Sequence, residues 1–194
     1  MALSGWQWLS AILLLCCLSS FAWGMRNFFV QPQGSTAGMK VISSCGLVFA
    51  ALHFGAICLP NSVTAERAMV AVLLYIWSLG LFWWAIRTNS PKRLSAAFST
   101  DPPAHLVDDG PYRFIRHPLY CSYVLAWSAG TIATARWWLL LTVVVMVVIY
   151  WRAATIEEEK FSRSSLAEEY QRYRERTAWL IPNPMKLLLA RRSQ

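Results

Sequence analysis

Residues 3–23, LSGWQWLSAILLLCCLSSFAW, run for 21 positions without one charged side chain. A helix of about 20 residues crosses the ~30 Å hydrocarbon core of a bilayer and satisfies its own backbone on the way. A secretory signal peptide is the competing reading of such a run. Residues 1–5 carry no basic group, however, and Trp6, Trp8 and Trp23 stand where interfacial anchors stand. The run is therefore read as a retained span, and it commits the chain to a helical fold in a membrane.

Further runs repeat the signal. Residues 41–59 and 68–86 are each 19 positions of mainly apolar sequence, separated by the turn-forming Pro60-Asn61-Ser62-Val63. Residues 118–135 and 137–151 follow, with Arg136 the one charge between them. Their brevity predicts a helical hairpin. The last, WWLLLTVVVMVVIYW, would rise only ~22 Å, leaving Arg136 and Arg152 to snorkel or the bilayer to thin. The expected fold class is an all-α integral membrane protein of about five transmembrane helices, with a three-helix region over 1–87 and a second region over 88–194.

Composition agrees, being 56% hydrophobic with eleven Trp and only 14% charged, too apolar for a soluble domain of this size. The net charge of +8 builds no aromatic-interleaved basic surface of the kind that binds nucleic acid. It maps onto topology instead. With five crossings, sixteen Lys and Arg fall on one side and only Arg67 and Arg136 on the other, predicting the N-terminus outside and the 87–117 loop and C-terminal tail in the cytoplasm. Cys16, Cys17, Cys45, Cys58 and Cys121 form no CxxC pair and have no histidine at zinc-finger spacing, so neither a disulfide framework nor a metal site is expected.

Both cytoplasmic segments carry chemistry. The loop contains Pro102-Pro103 and the turn former Asp109-Gly110-Pro111, yet enough apolar and aromatic residues to argue for order. The tail predicts a helix over 153–176 continuing the last span, with Glu159/Arg163 and Glu168/Arg172 at i,i+4 spacing. His117-Pro118 reads either as the polar lip of a membrane helix or, with Arg116, as an anion site at its N-terminus. Glu157, Glu158 and Glu159 read as a solvated face or as a carboxylate held at the membrane boundary for an ammonium or ribose. Arg152 is a snorkelling anchor or a partner of that run. His53, inside the second span, is expected to hydrogen-bond a neighbouring helix, and the Trp83-Trp84 and Trp137-Trp138 pairs to sit at the interface. Neither GxGxxG nor GxxxxGK[ST] occurs, so no Rossmann fold or P-loop is expected.

The stretch GPYRFIRHPLY (110–120), preceded by HLV (105–107) and followed by a span, EEE and AEEYQRYRERTAWLIP, resembles the isoprenylcysteine carboxyl methyltransferases. It is also similar to the wider group that includes membrane phospholipid methyltransferases. The likeness covers roughly residues 102–182. It implies an enzyme binding S-adenosylmethionine in a cytoplasmic pocket built from the last spans and the tail. By that likeness Ala104, His105, Leu106, Val107, Tyr112, His117, Pro118, Leu119, Tyr120 and Glu158 line the cofactor site, with Gly110 at the turn that opens the motif and Arg116 beside the histidine. Arg152 matches an arginine associated with the substrate carboxylate, and with Glu158 and His117 forms the expected catalytic set. IEEEK has one Glu fewer than some members, which leaves the choice among Glu157, Glu158 and Glu159 open. The expected acceptor is the carboxylate of a prenylated cysteine or similar lipid-tailed acid entering from the bilayer. A phospholipid amine is the alternative, and an NADPH-dependent enone reductase or a membrane scaffold the more distant ones.

Overall fold

The computed structural model describes residues 3–27, 37–89, 103 and 105–182. These form α1 (Gly5–Asn27), α2 (Ala37–Cys58), α3 (Ala65–Asn89), a 3-10 turn (Gly110–Arg113), α4 (Pro118–Thr134), α5 (Leu139–Ser162) and α6 (Ala167–Arg176), with no strand among the described residues. The expected all-α membrane fold is what is seen.

Four helices, α1, α2, α3 and α5, are long and apolar enough to cross a membrane. The remaining one of the five expected crossings, α4, has 17 residues and rises ~25 Å. Its ends are fixed locally. Pro118 occupies the first helical position, where a missing N–H costs nothing, and Ala135 ends the helix in the left-handed region at φ 49°. The turn after Ala135 delivers the chain into α5, completing the predicted hairpin.

The last span is not short. It begins at Leu139, after an exposed Trp137, and runs 24 residues to Ser162, so that the apolar run ending at Trp151 is extended by about three polar turns. The expected unbroken helix over 153–176, by contrast, divides. Ser164 accepts a hydrogen bond from the Leu166 amide at 3.1 Å and donates one to the Phe161 carbonyl at 2.8 Å. Serine side chains that compete in this way for backbone groups end helices. The i,i+4 pair Glu159–Arg163 forms, whereas Glu168 and Arg172 make no ion pair among the described residues.

Helix α4 is the centre of the bundle, packed on α1, α2, α3 and α5, with α3 its largest partner. Phe21 of α1, Phe82 of α3 and Tyr123 of α4 interlock, Phe21 standing edge-on to Tyr123 at 4.5 Å between centroids. Outward faces stay apolar: Leu47, Leu73, Trp77 and Leu141 are all more than half exposed, as lipid-facing residues are. Of the Trp83-Trp84 pair only Trp84 points outward. Trp83 turns in against Trp23 and hydrogen-bonds Ser20.

At the end where α1 begins, Gln7 donates to the carbonyls of Ile57 and Leu59, both at 2.7 Å. These carbonyls, at and just past the end of α2, are shared with Ser62, whose hydroxyl donates to Ile57 and whose amide donates to Leu59, so one buried amide ties α1 to the α2–α3 turn. His53 is fully buried and pairs through Nε2 with Thr142 Oγ1 of α5 at 2.8 Å, the interhelical hydrogen bond expected of it.

Candidate active site

The other end of the bundle carries the charge. Arg116 and His117 stand immediately before α4, and Glu157 and Glu158 on the polar extension of α5, outside the apolar span. Arg116 Nε donates to Glu158 Oε1 at 2.9 Å, and His117 Nε2 lies 3.0 Å from the same oxygen. His117 Nδ1 faces Glu157 Oε2 at 3.5 Å. Glu158 Oε2 meets Arg174 of α6 at 3.7 Å, and Tyr120 donates its hydroxyl to Glu157 Oε1 at 2.8 Å. The expected meeting of the IRHP segment with the acidic run is thus realised, and it selects among the three glutamates. Glu158 is at the centre and Glu157 at its flank, while Glu159 faces away to pair with Arg163.

Two segments far apart in sequence clamp the cluster. Arg116 Nη1 donates to the carbonyls of Thr177 at 2.8 Å and Arg174 at 3.3 Å, capping the end of α6 with a cation where the helix dipole favours one. Ile115 and Ala178 form a parallel bridge, with the Arg116 amide 2.9 Å from the Ala178 carbonyl. Tyr173 donates to the Tyr112 carbonyl at 2.8 Å, and Arg176 pairs with Asp108. Stacked rings continue the site toward the bilayer: Tyr120 lies parallel to His117 and to Tyr150, whose hydroxyl accepts from Trp127.

The other expected site residues divide. Tyr112, Pro118 and Leu119 are buried, Leu106 and Val107 are half-buried, and Val107 packs against the hydrophobic core. His105 Nε2 is buried without a hydrogen-bond partner among the described residues. Ala104 lies outside the described residues. Arg152 is exposed on α5 and makes no ion pair among the described residues. Arg174 and Thr177 belong to the cluster without having been singled out. Their signal in the sequence is faint, an arginine and a threonine at the end of a charged helix.

Gly110 is a backbone requirement. Its φ is +55°, and a Cβ there would collide with the Thr88 side chain at the end of α3. Gly110→Ala is expected to cost roughly 1–2 kcal/mol from the left-handed backbone alone, with a further loss from the clash. Adding Thr88→Ala should recover only the second part, measured as thermal stability in detergent.

Burial disfavours charge on Glu158, but the hydrogen bonds from His117 and Arg116 outweigh it and hold the carboxyl down at about 2. Burial likewise disfavours the imidazolium of His117, yet Glu157 and Glu158 raise its pKa above the ordinary 6.5. Both ring nitrogens face carboxylates, so both act as donors, as only the charged ring can. The sign of the pH dependence follows. Glu158 stabilises the fold fully above its ordinary 4.5 and loses that contribution as pH falls toward about 2. His117 contributes fully below 6.5 and loses it as pH rises through its raised value. Hydrogen exchange in α6 is expected to be slowest relative to its intrinsic rate between about 4.5 and 6.5, with the alkaline loosening removed in His117→Gln.

Comparison with known families fits this geometry. A family model described as phospholipid methyltransferase matches residues 66–169, more than half of the chain. The chain belongs to the phospholipid methyltransferase family. This methyltransferase assignment takes in α3, α4, α5 and the start of α6, and with the four long apolar helices it makes the protein a multi-pass membrane methyltransferase. The more particular isoprenylcysteine likeness is a finer statement than the family match carries. Among curated proteins none matches the chain.

Proposed function

We propose that the protein uses S-adenosylmethionine to methylate the carboxylate of a lipid-tailed acid such as a prenylated cysteine, at a site on the cytoplasmic side. The observation that carries the choice of acceptor is the Arg116–His117–Glu158 cluster. Glu158 is ionised against two bonded cations, and His117 already carries its proton. Neither is free to take a proton from an incoming nucleophile. A carboxylate acceptor is anionic at neutral pH and needs no base.

Bound, the cofactor supplies a methyl group on a sulfonium, open to in-line displacement, so that positioning and exclusion of water are what the protein must contribute. The residues present fit that guest. His105 Nε2 is a buried polar atom with no partner among the described residues, and the Leu119 and Tyr120 amides in the first turn of α4 precede the first amide with a helical acceptor, that of Cys121, so they can receive a carboxylate. Glu157, held by Tyr120 at 2.8 Å and faced by His117 only at 3.5 Å, is the acid open to an ammonium or ribose, and Leu106, Val107 and Tyr112 offer apolar surface for an adenine. Arg116 and His117, expected to meet the cofactor carboxylate directly, are engaged with Glu158 and the end of α6; their proposed role is to hold the walls. Arg152, exposed at the edge of the apolar span, remains the proposed contact for the acceptor carboxylate.

A second reading is a phospholipid amine acceptor, which the description of the matched family favours. It needs a base, and Glu157 is the one acid of the cluster with slack. The test is methyl transfer from radiolabelled S-adenosylmethionine by the purified protein in detergent, with farnesylcysteine and phosphatidylethanolamine as acceptors. Transfer to farnesylcysteine alone is expected. Robust transfer to phosphatidylethanolamine with none to any prenylcysteine would overturn the carboxylate reading, and binding of NADPH in place of S-adenosylmethionine would overturn both.

A further inference from the structure

A second polar group of residues lies deep in the bundle near the opposite end, where the charged cluster plays no part. His53 of α2 and Tyr75 of α3 are both fully buried, and His53 Nδ1 and the Tyr75 hydroxyl each have no hydrogen-bond partner among the described residues. Both atoms lie close to one position. A Cβ built on Gly130 of α4 would run into His53 Nδ1 and come within 3.2 Å of the Tyr75 oxygen.

The protonation of the histidine follows from its neighbour. Thr142 Oγ1 donates its one hydrogen to the Leu139 carbonyl at 2.7 Å. It must therefore accept from His53, which lies 2.8 Å away through Nε2. Nε2 carries the hydrogen and, with no carboxylate among the described residues bonded to the ring to support a second proton, Nδ1 presents a bare lone pair. An acceptor and a hydroxyl donor thus converge over a residue that has no side chain. Buried polar groups of this kind are nearly always hydrogen-bonded, and one water serves two to four such partners.

We infer that α2, α3 and α4 enclose a binding site for a single structural water beside Gly130, between His53 and Tyr75, donating to His53 Nδ1 and accepting from the Tyr75 hydroxyl. Through Thr142 the link extends to α5. Three helices, α2, α3 and α5, are then joined by one hydrogen-bonded chain packed against α4, in a region where lipid offers no alternative partners. Glycine is required at position 130 because a Cβ there would run into His53 Nδ1 itself and push the ring out of its place.

The protein has three histidines, so a sample labelled with nitrogen-15 in histidine and placed in lipid nanodiscs gives few ring signals, and His53→Gln assigns one of them. The wild type is expected to show an Nε2–H tautomer at His53 with magnetisation transfer from water to its ring. In Tyr75→Phe the Nδ1 resonance should move toward that of an unbonded nitrogen, and in Gly130→Ala the water transfer should vanish. Absence of water transfer in the wild type overturns the inference. So does an Nδ1 resonance that responds to Tyr75→Phe without water transfer, since that reports a direct tyrosine–histidine bond. If Gly130→Ala does not fold, the wild type and Tyr75→Phe decide the matter.

Discussion

Glu158→Ala is expected to release α6 from the bundle and to abolish methyl transfer. The carboxylate is only 16% exposed and is shared by Arg116, His117 and Arg174. Removing it leaves Arg116 and His117, both less than a tenth exposed, without their counter-charge. Breaking a buried ion pair from one side costs about 3–5 kcal/mol, since the partner's desolvation is then uncompensated. At 1.4 kcal/mol per factor of ten, even the lower figure opens the α6 clamp by roughly a hundredfold, and hydrogen exchange across residues 170–179 should quicken by that much. Glu158→Gln keeps an acceptor in place but not its charge, and should fall between. Glu159→Ala, which removes only an exposed pair with Arg163, should change exchange in α6 and methyl transfer by less than twofold, because such pairs contribute under about 0.5 kcal/mol. Equal effects at Glu158 and Glu159 would refute this assignment.

That contrast marks where the sequence stops being legible. The spans could be read because a bilayer demands unbroken apolar runs, and the α4–α5 hairpin because two such runs are separated by one arginine. That IRHP and the acidic run lie on one side could be read from the basic-residue count, and their meeting from what the family likeness implies. Which glutamate meets it could not. Three consecutive helical residues fan over about 200° of a helix, and only the packing of α5 on α4 decides that Glu158 points at Arg116. The break at Ser164 was hidden because charged and aromatic residues keep the helical pattern on both sides of it. The Ile115–Ala178 bridge has no signature at all: a single pair 63 residues apart leaves no alternation to detect. Arg152 shows the converse, a residue conspicuous by its charge that the structure leaves at the surface.

Arg116→Lys should fail almost as badly as Arg116→Ala, although it keeps the charge. Arg116 is a fork: Nε serves Glu158 on α5, while Nη1 serves the Arg174 and Thr177 carbonyls at the end of α6. These bonds leave from different nitrogens of one rigid plane, so the guanidinium fixes the spacing between α5 and α6 as well as neutralising the acid. A lysine ammonium is a compact charge on a flexible stem and cannot reproduce that geometry. It can meet Glu158 or the carbonyls, and whichever is left loses a charge-assisted hydrogen bond worth about 1.5–3 kcal/mol. Lysine is therefore expected to preserve the acid stability that Glu158 gains from a nearby cation while losing the exchange protection of residues 174–179 by roughly ten- to a hundredfold. If lysine restored both, charge alone would hold α6 in place, and the fork would have no part in building the site.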